Sequence, residues 1–161
     1  MAYIYASVIK SPIGEVIIIA DDNSVNEITF HPKDIDGLTA NEISQFAAKE
    51  LLEYFEGKLQ TFTFPISQTG TEFQQGVWQN LLQIPYGETT SYAKFSAHKP
   101  LAIRAIAAAN GKNNIAIAIP CHRVIGSNGK LVGYAGELWR KKWLLQHERE
   151  VLQQGQTELK F

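Results

Sequence analysis

The sequence predicts an α+β protein in two parts: a small N-terminal domain with a three-stranded antiparallel sheet and a helix, then a mostly helical C-terminal domain containing a helix-turn-helix. Three observations predict it. Short Ile- and Val-rich runs punctuated by turn residues occupy positions 3–30, and helical periodicity with paired capping signals takes over after them. The charge also divides. Residues 1–93 carry four Lys or Arg against twelve Asp or Glu, whereas residues 94–149 carry ten against only Glu137 and Glu148. A net charge of −1 over 161 residues conceals this split.

Residues 3–10, 15–20 and 25–30 read as the three strands. They are joined by turns at Ser11-Pro12-Ile13-Gly14 and Asp21-Asp22-Asn23-Ser24. A helix follows, with Thr39 and Glu42 as a capping-box pattern. Its apolar stripe of Ile43, Phe46, Ala47, Leu51, Tyr54 and Phe55 ends at Gly57. Pro65 to Gly70 reads as a linker, which divides the chain into domains 1–66 and 67–161. The first domain offers no catalytic constellation, and His31 there reads as a surface or turn residue.

Thr71-x-x-Gln74 is a second capping box, opening a helix that carries Phe73, Val77, Trp78, Leu81 and Leu82 and stops before Pro85. A short helix is expected from about Ser91 to Ala97. Pro100 then starts an Ala-rich helix over 101–109, with Arg104 in its middle and Asn110-Gly111 as its C-cap. Two helices separated by a tight break suggest a helix-turn-helix whose second helix, small-sided at Ala102 and Ala105, brings its backbone close to DNA. An Ala-rich helix is equally a packing device. A basic half is the electrostatic footprint of a phosphate-binding surface, and equally a set of solvated helix faces.

The only cysteine, Cys121, lies in Ile-Pro-Cys-His-Arg-Val-Ile (119–125). A lone cysteine is most often an inert, buried small hydrophobe. Pro120 has no N–H to give a ladder, so the apolar run 115–119 reads as a strand ending there. Cys121 and His122 then sit on a turn at a strand's end, where a thiol and an imidazole can form a nucleophile and its base. One cysteine excludes an internal disulfide and any multi-cysteine zinc site. No N-terminal apolar segment resembles a signal peptide or membrane span, which predicts a cytoplasmic protein, or a nuclear one in a cell with a nucleus.

Residues 71–148 resemble the O6-alkylguanine-DNA alkyltransferases. The matching blocks are Pro-Tyr-Gly-Glu-Thr-Thr-Ser-Tyr (85–92), Arg-Ala-Ile-Ala-Ala-Ala-Asn-Gly-Lys-Asn (104–113), the Cys121 motif, Gly133-Tyr134-Ala135-Gly136, and Lys141-x-Trp143-Leu144-Leu145-x-His147-Glu148. The resemblance implies an N-terminal domain of ribonuclease-H-like type and a C-terminal alkyltransferase domain. It implies DNA repair by irreversible transfer of the alkyl group from O6-alkylguanine to Cys121 after base flipping, with O4-alkylthymine as a second candidate substrate.

By the same resemblance, His122 takes the thiol proton through a water, Glu148 orients the imidazole, and Tyr92 hydrogen-bonds a ring nitrogen of the departing guanine. Asn113 holds the cysteine turn. Val124, Tyr134, Ala135 and Gly136 form the guanine pocket, and Arg104 fills the stack the base vacates. Arg123 reads as a structural hydrogen-bonder. The implied partner is duplex DNA carrying alkylated bases, bound by a monomer, with no membrane, metal or cofactor. With no second thiol to reverse the thioether, each molecule acts once.

One departure stands out: the break between Tyr92 and Arg104 (Ser96-Ala97-His98-Lys99-Pro100) is two residues shorter than the family pattern. It puts the placement of the second helix at issue, not the thiol chemistry. Two rivals differ in class. A non-reactive DNA-binding relative lacks the cysteine that is present here. A cysteine hydrolase built on Cys121, His122 and Glu148 requires an oxyanion hole and steady turnover, and leaves the basic half unexplained.

Overall fold

The computed structural model describes residues 4–126, 128, 129, 131 and 133–158, the side chains of 155–158 excepted. The chain forms two compact units. One comprises Met1–Thr69 with Asn114–Ala118, and the other comprises Gly70–Asn113 with Ile119–Phe161. The segment 114–118, which a linear division at residue 66 assigns to the second part, thus belongs to the first unit.

In the first unit, β1 (Tyr5–Ser11), β2 (Gly14–Ala20) and β3 (Val25–Thr29) form an antiparallel sheet in sequence order. Ser11 pairs with Gly14, so a two-residue hairpin closes at Pro12-Ile13, with Gly14 at φ 106°. That angle favours a residue without a Cβ. Val16, Ile17, Ile18 and Ala20 are all buried, because β2 is the central strand.

The helix α1 (Glu42–Phe55) packs on β1 and β2 through Ala47, Leu51, Tyr54 and Phe55. Its cap differs from the Thr39/Glu42 expectation. Asn41 is the N-cap: its Oδ1 accepts from Ser44 N at 2.9 Å, and Ser44 Oγ accepts from Asn41 N at 3.0 Å. Asparagine is as strong a cap as any, and the Ser44 hydroxyl here performs the reciprocal role usually given to Glu or Gln.

The apolar run 115–119 is not a strand, contrary to the sequence reading. Ile28 and Ile115 form a single parallel bridge, closed by Ile28 N to Asn114 O at 2.9 Å and Ala116 N to Ile28 O at 3.1 Å. Ile117 then turns to φ 70°. Ile115 and Ile117 are nonetheless buried. Burial of branched side chains is satisfied without a ladder, which is why the pattern misleads.

The second unit opens with α2 (Glu72–Leu81), capped by Thr71 and Gln74 as its sequence predicts, and burying Val77, Trp78 and Leu81. After β4 (Thr90–Ser91), Ser91 caps the single-turn α3 (Tyr92–Phe95). A 3-10 turn (Pro100–Ala102) leads into α4 (Ile103–Gly111). Ile106 and Ala109 of α4 join Val77 in a small core, against which Phe95 and Ala102 pack. Trp78 Nε1 donates to Ala109 O at 2.9 Å.

The helix α4 does not end in an Asn110-Gly111 left-handed cap. Both residues stay helical, Lys112 is the C-cap in a right-handed conformation, and Asn110 is buried. A second 3-10 turn (Cys121–Arg123) runs into β5 (Val124–Ile125), which pairs in parallel with β4. This pair, absent from the sequence reading, ties the start of α3 to the exit of the cysteine turn. The helix α5 (Leu138–Glu158) completes the unit.

Candidate active site

Cys121 begins a tight turn that is locked from both ends. Asn113 Nδ2 donates to Ile119 O at 3.0 Å, Cys121 N donates to the same carbonyl at 2.7 Å, and Arg123 N donates to Pro120 O at 3.0 Å. Cys121 is half-buried, whereas His122 and Arg123 are buried. Burial pushes the Cys121 thiol up. The Asn113 side chain, which hydrogen-bonds the sulfur, and the Lys141 charge both act against that rise.

Behind the turn lies a dense ionic cluster. His122 Nε2 is 2.7 Å from Glu148 Oε2. Arg123 Nε and Nη2 donate to Glu148 Oε1 and Oε2 at 2.9 and 3.1 Å, and Gly87 N donates to Oε1 at 3.1 Å. Arg123 Nη1 is spent on Ile84 O at 2.7 Å. Burial alone would raise the Glu148 carboxyl, but the hydrogen bonds from His122 and Arg123 and the positive charge of Arg123 outweigh it and hold the group well below the usual carboxylate range. Burial lowers His122, only partly offset by Glu148. A neutral imidazole facing a carboxylate must carry its proton on Nε2, which leaves the lone pair on Nδ1. That nitrogen is buried and lacks a hydrogen-bond partner among the described residues.

A cavity of about 500 Å³ opens at the sulfur. It is lined by Tyr92, by Ala107, Asn110 and Gly111 of α4, by Gly133, Tyr134 and Ala135, and by Asn113 and Cys121. Of the residues expected from sequence, Cys121, Tyr92, Asn113, Tyr134 and Ala135 meet here, with His122 and Glu148 clustered behind the turn. Val124 and Gly136 are not in the lining. Val124 is fully buried in the β4–β5 pair and lends its carbonyl to Lys141 Nζ at 2.7 Å.

Arg104 and Ala105 are exposed on α4, as a contact surface requires, but Ala102 is half-buried on the core below the helix. Three further groups escaped the sequence reading. Lys141 is fully buried, and burial pulls it down to about 8, with Cys121 opposing. Asn110 donates to Tyr92 Oη at 3.1 Å. Gly87 supplies the backbone donor to Glu148; the Pro85-Tyr86-Gly87 turn was the available signal for it.

Among the described residues no group of three or more His, Cys, Asp or Glu could hold a metal ion. None of their helices is long and apolar enough to cross a membrane.

A family model described as "6-O-methylguanine DNA methyltransferase, DNA binding domain" matches residues 72–150, and one described as "6-O-methylguanine DNA methyltransferase, ribonuclease-like domain" matches residues 4–68. A methylated-DNA–protein-cysteine methyltransferase of Methanosarcina barkeri is 42% identical over 156 residues, spanning 92% of this chain and 99% of its own. The chain belongs to the O6-methylguanine DNA methyltransferase family. Family members of the same printed name from Mycobacterium leprae (42% identity; 91% of this chain, 93% of theirs) and, as the constitutive form, Bacillus subtilis (40%; 90% and 95%) are equally similar. Among solved structures of the family, the Mycobacterium tuberculosis OGT in complex with DNA superposes with a TM-score of 0.82 at 40% identity, covering 91% of this chain and 94% of that one.

Proposed function

We propose that this chain, acting as a monomer on duplex DNA, removes the alkyl group of O6-alkylguanine by moving it once and irreversibly to Cys121. The observation that carries this reading is one thiol and one phenol lining the same cavity, the thiol next in sequence to a buried imidazole whose basic nitrogen is fixed as Nδ1 by Glu148.

The chemistry follows from those positions. His122 Nδ1 receives the thiol proton through a water, and Glu148 stabilises the imidazolium that results. The sulfur attacks the alkyl carbon in line; the S–C bond forms as the C–O6 bond breaks, and its electron pair leaves with the guanine. Tyr92 hydrogen-bonds a ring nitrogen of the departing base and spreads its charge. One proton lost by sulfur and one gained by guanine balance the reaction, leaving a thioether. The guanine reaches the cavity by flipping out of the duplex, with α4 as the reading helix of a helix-turn-helix and exposed Arg104 entering the vacated stack. From residue 89 to residue 136 the chain has no Asp or Glu, and Lys94, Lys99, Arg104 and Lys112 there are exposed, charges suited to phosphates.

The test is to mix the protein with a duplex containing O6-methylguanine and weigh its peptides. One methyl on the Cys121 peptide is expected, never more than one per molecule, and none in Cys121→Ala. Steady turnover of an ester or amide substrate, with Cys121 unalkylated, would replace this reading with the hydrolase.

A further inference from the structure

We propose that Asn110 is a positioning residue for the transfer step: by donating its amide hydrogen to the Tyr92 oxygen, it aims the phenol hydrogen into the cavity and makes Tyr92 a stronger donor to the departing guanine. This deepens the reading above and rests on it.

The geometry is specific. Asn110 Nδ2 lies 3.1 Å from Tyr92 Oη, and both residues line the cavity that holds Cys121. Tyr92 is the first residue of α3, which Ser91 caps and the β4–β5 pair anchors, so the phenol's starting point is fixed. Asn110 sits in the last turn of α4, one helical turn beyond Ala107, which faces the same cavity.

Nothing about the helix asks for this residue. Asparagine is a poorer helix former than the alanines around it, and a buried amide is costly unless it is bonded. It is 5% exposed, and it does not form the helix cap that its sequence position suggested. Its amide is satisfied by the one side chain placed to assist the leaving group.

A phenol oxygen has one hydrogen and two lone pairs. When a lone pair is occupied by an N–H donor, the hydroxyl hydrogen is turned away from that donor, and the O–H bond is polarised. Burial works in the opposite sense, raising Tyr92 and weakening it as an acid. Asn110 offsets part of that weakening where the guanine develops charge.

Two measurements test this. In the protein without DNA, the phenol of Tyr92, followed by NMR of ring-labelled tyrosine, should titrate at higher pH in Asn110→Leu than in the wild type. In single-turnover transfer from an O6-methylguanine duplex, Asn110→Leu should slow the chemical step about three- to tenfold, the span of one net hydrogen bond. The same substitution in a Tyr92→Phe background should change the rate by less than about twofold, because the oxygen it acts through is gone.

Asn110→Asp keeps the shape but offers an acceptor, which captures the Tyr92 hydrogen. It should be slower than Asn110→Leu at neutral pH and recover relative to it as the carboxyl protonates in acid. Equal slowing by Asn110→Leu with and without the Tyr92 hydroxyl overturns the proposal, as does an unmoved phenol titration. A wild type that never alkylates Cys121 overturns the proposed function instead. The phenol titration, which needs no substrate, separates that failure from a failure of the Asn110–Tyr92 bond.

Discussion

The imidazole of His122 and the carboxylate of Glu148 meet at 2.7 Å, and neither side chain reaches solvent. A buried carboxylate is tolerable only with full compensation. Glu148 has it, from Arg123, from Gly87 N and from His122 itself. The pair therefore fixes which imidazole nitrogen is basic, while Arg123 keeps the carboxylate charged without neutralising the histidine's role.

Replacing Glu148 by Gln tests that division of labour. The amide can present a hydrogen to His122 Nε2, which moves the imidazole proton to Nδ1 and removes the base. Glu148→Gln should slow transfer to Cys121 by about 10²- to 10⁴-fold, as loss of the orienting carboxylate does in related triads. Affinity for DNA should stay within about twofold, since the cluster is buried and touches no surface. Loss of the anion facing Arg123 should also lower unfolding free energy by about 3–5 kcal/mol, read by denaturant titration. Unchanged single-turnover rates would remove Glu148 from the mechanism.

The same cluster dictates a pH profile. The folded His122 pKa lies below its ordinary 6.5, so between the two values the unfolded chain holds the extra proton. Stability from this group is complete above pH 6.5 and is lost as pH falls through the depressed folded value. Glu148 is also depressed, so its contribution is complete above 4.5 and fades further into acid. Thermal unfolding followed from pH 7 to pH 4, below the range in which Lys141 titrates, should therefore be level to about 6.5 and then decline. The transfer rate should likewise hold through 6.5, because His122 remains a base there. Loss of rate on the acid side with a midpoint at or above 6.5 would contradict a buried neutral imidazole.

Much of this was legible in the chain, for physical reasons that differ by residue. Thr71 and Gln74 cap a helix through contacts three residues apart, so local sequence suffices. Cys121 and Tyr92 were placed by motif, and both do line the cavity. Asn41 was missed as a cap because Ser44 is an uncommon reciprocal partner. The ion pair of Arg123 and Glu148 spans 25 residues, and only packing of α5 against the cysteine turn brings them together. Lys141 was invisible in its role, since nothing in a basic helix sequence marks the one lysine that turns inward.

Gly87 gives a prediction about backbone rather than charge. Its φ is 79°, where glycine is favoured, and an added Cβ would lie 2.1 Å from Leu152 Cδ1. The leucine tip can move, but the conformation remains strained and the N–H to Glu148 would shift with it. Gly87→Ala should cost about 1–3 kcal/mol of stability. It should also slow transfer several-fold while leaving the Cys121 thiol reactive towards iodoacetamide. A neutral result in both assays would show that the turn tolerates a side chain and that its N–H is dispensable.

Lys141 supplies the last test, because its charge acts on the sulfur from inside the protein. Its Nζ is held by Val124 O at 2.7 Å and more loosely by Gly133 O at 3.5 Å, with no exposed surface. An ammonium so placed favours the Cys121 thiolate, and burial in turn pulls the lysine down to about 8. Below pH 8 the wild type therefore keeps a cation near the thiol, and above it that help fades. Lys141→Met, similar in length and without charge, should slow Cys121 alkylation at neutral pH about tenfold and move the thiol's titration to higher pH, roughly one pH unit being 1.4 kcal/mol. The two proteins should converge as pH rises past 8, where the lysine of the wild type is itself neutral. Parallel profiles with a constant offset would mean that Lys141 acts only by bracing the two carbonyls it bonds.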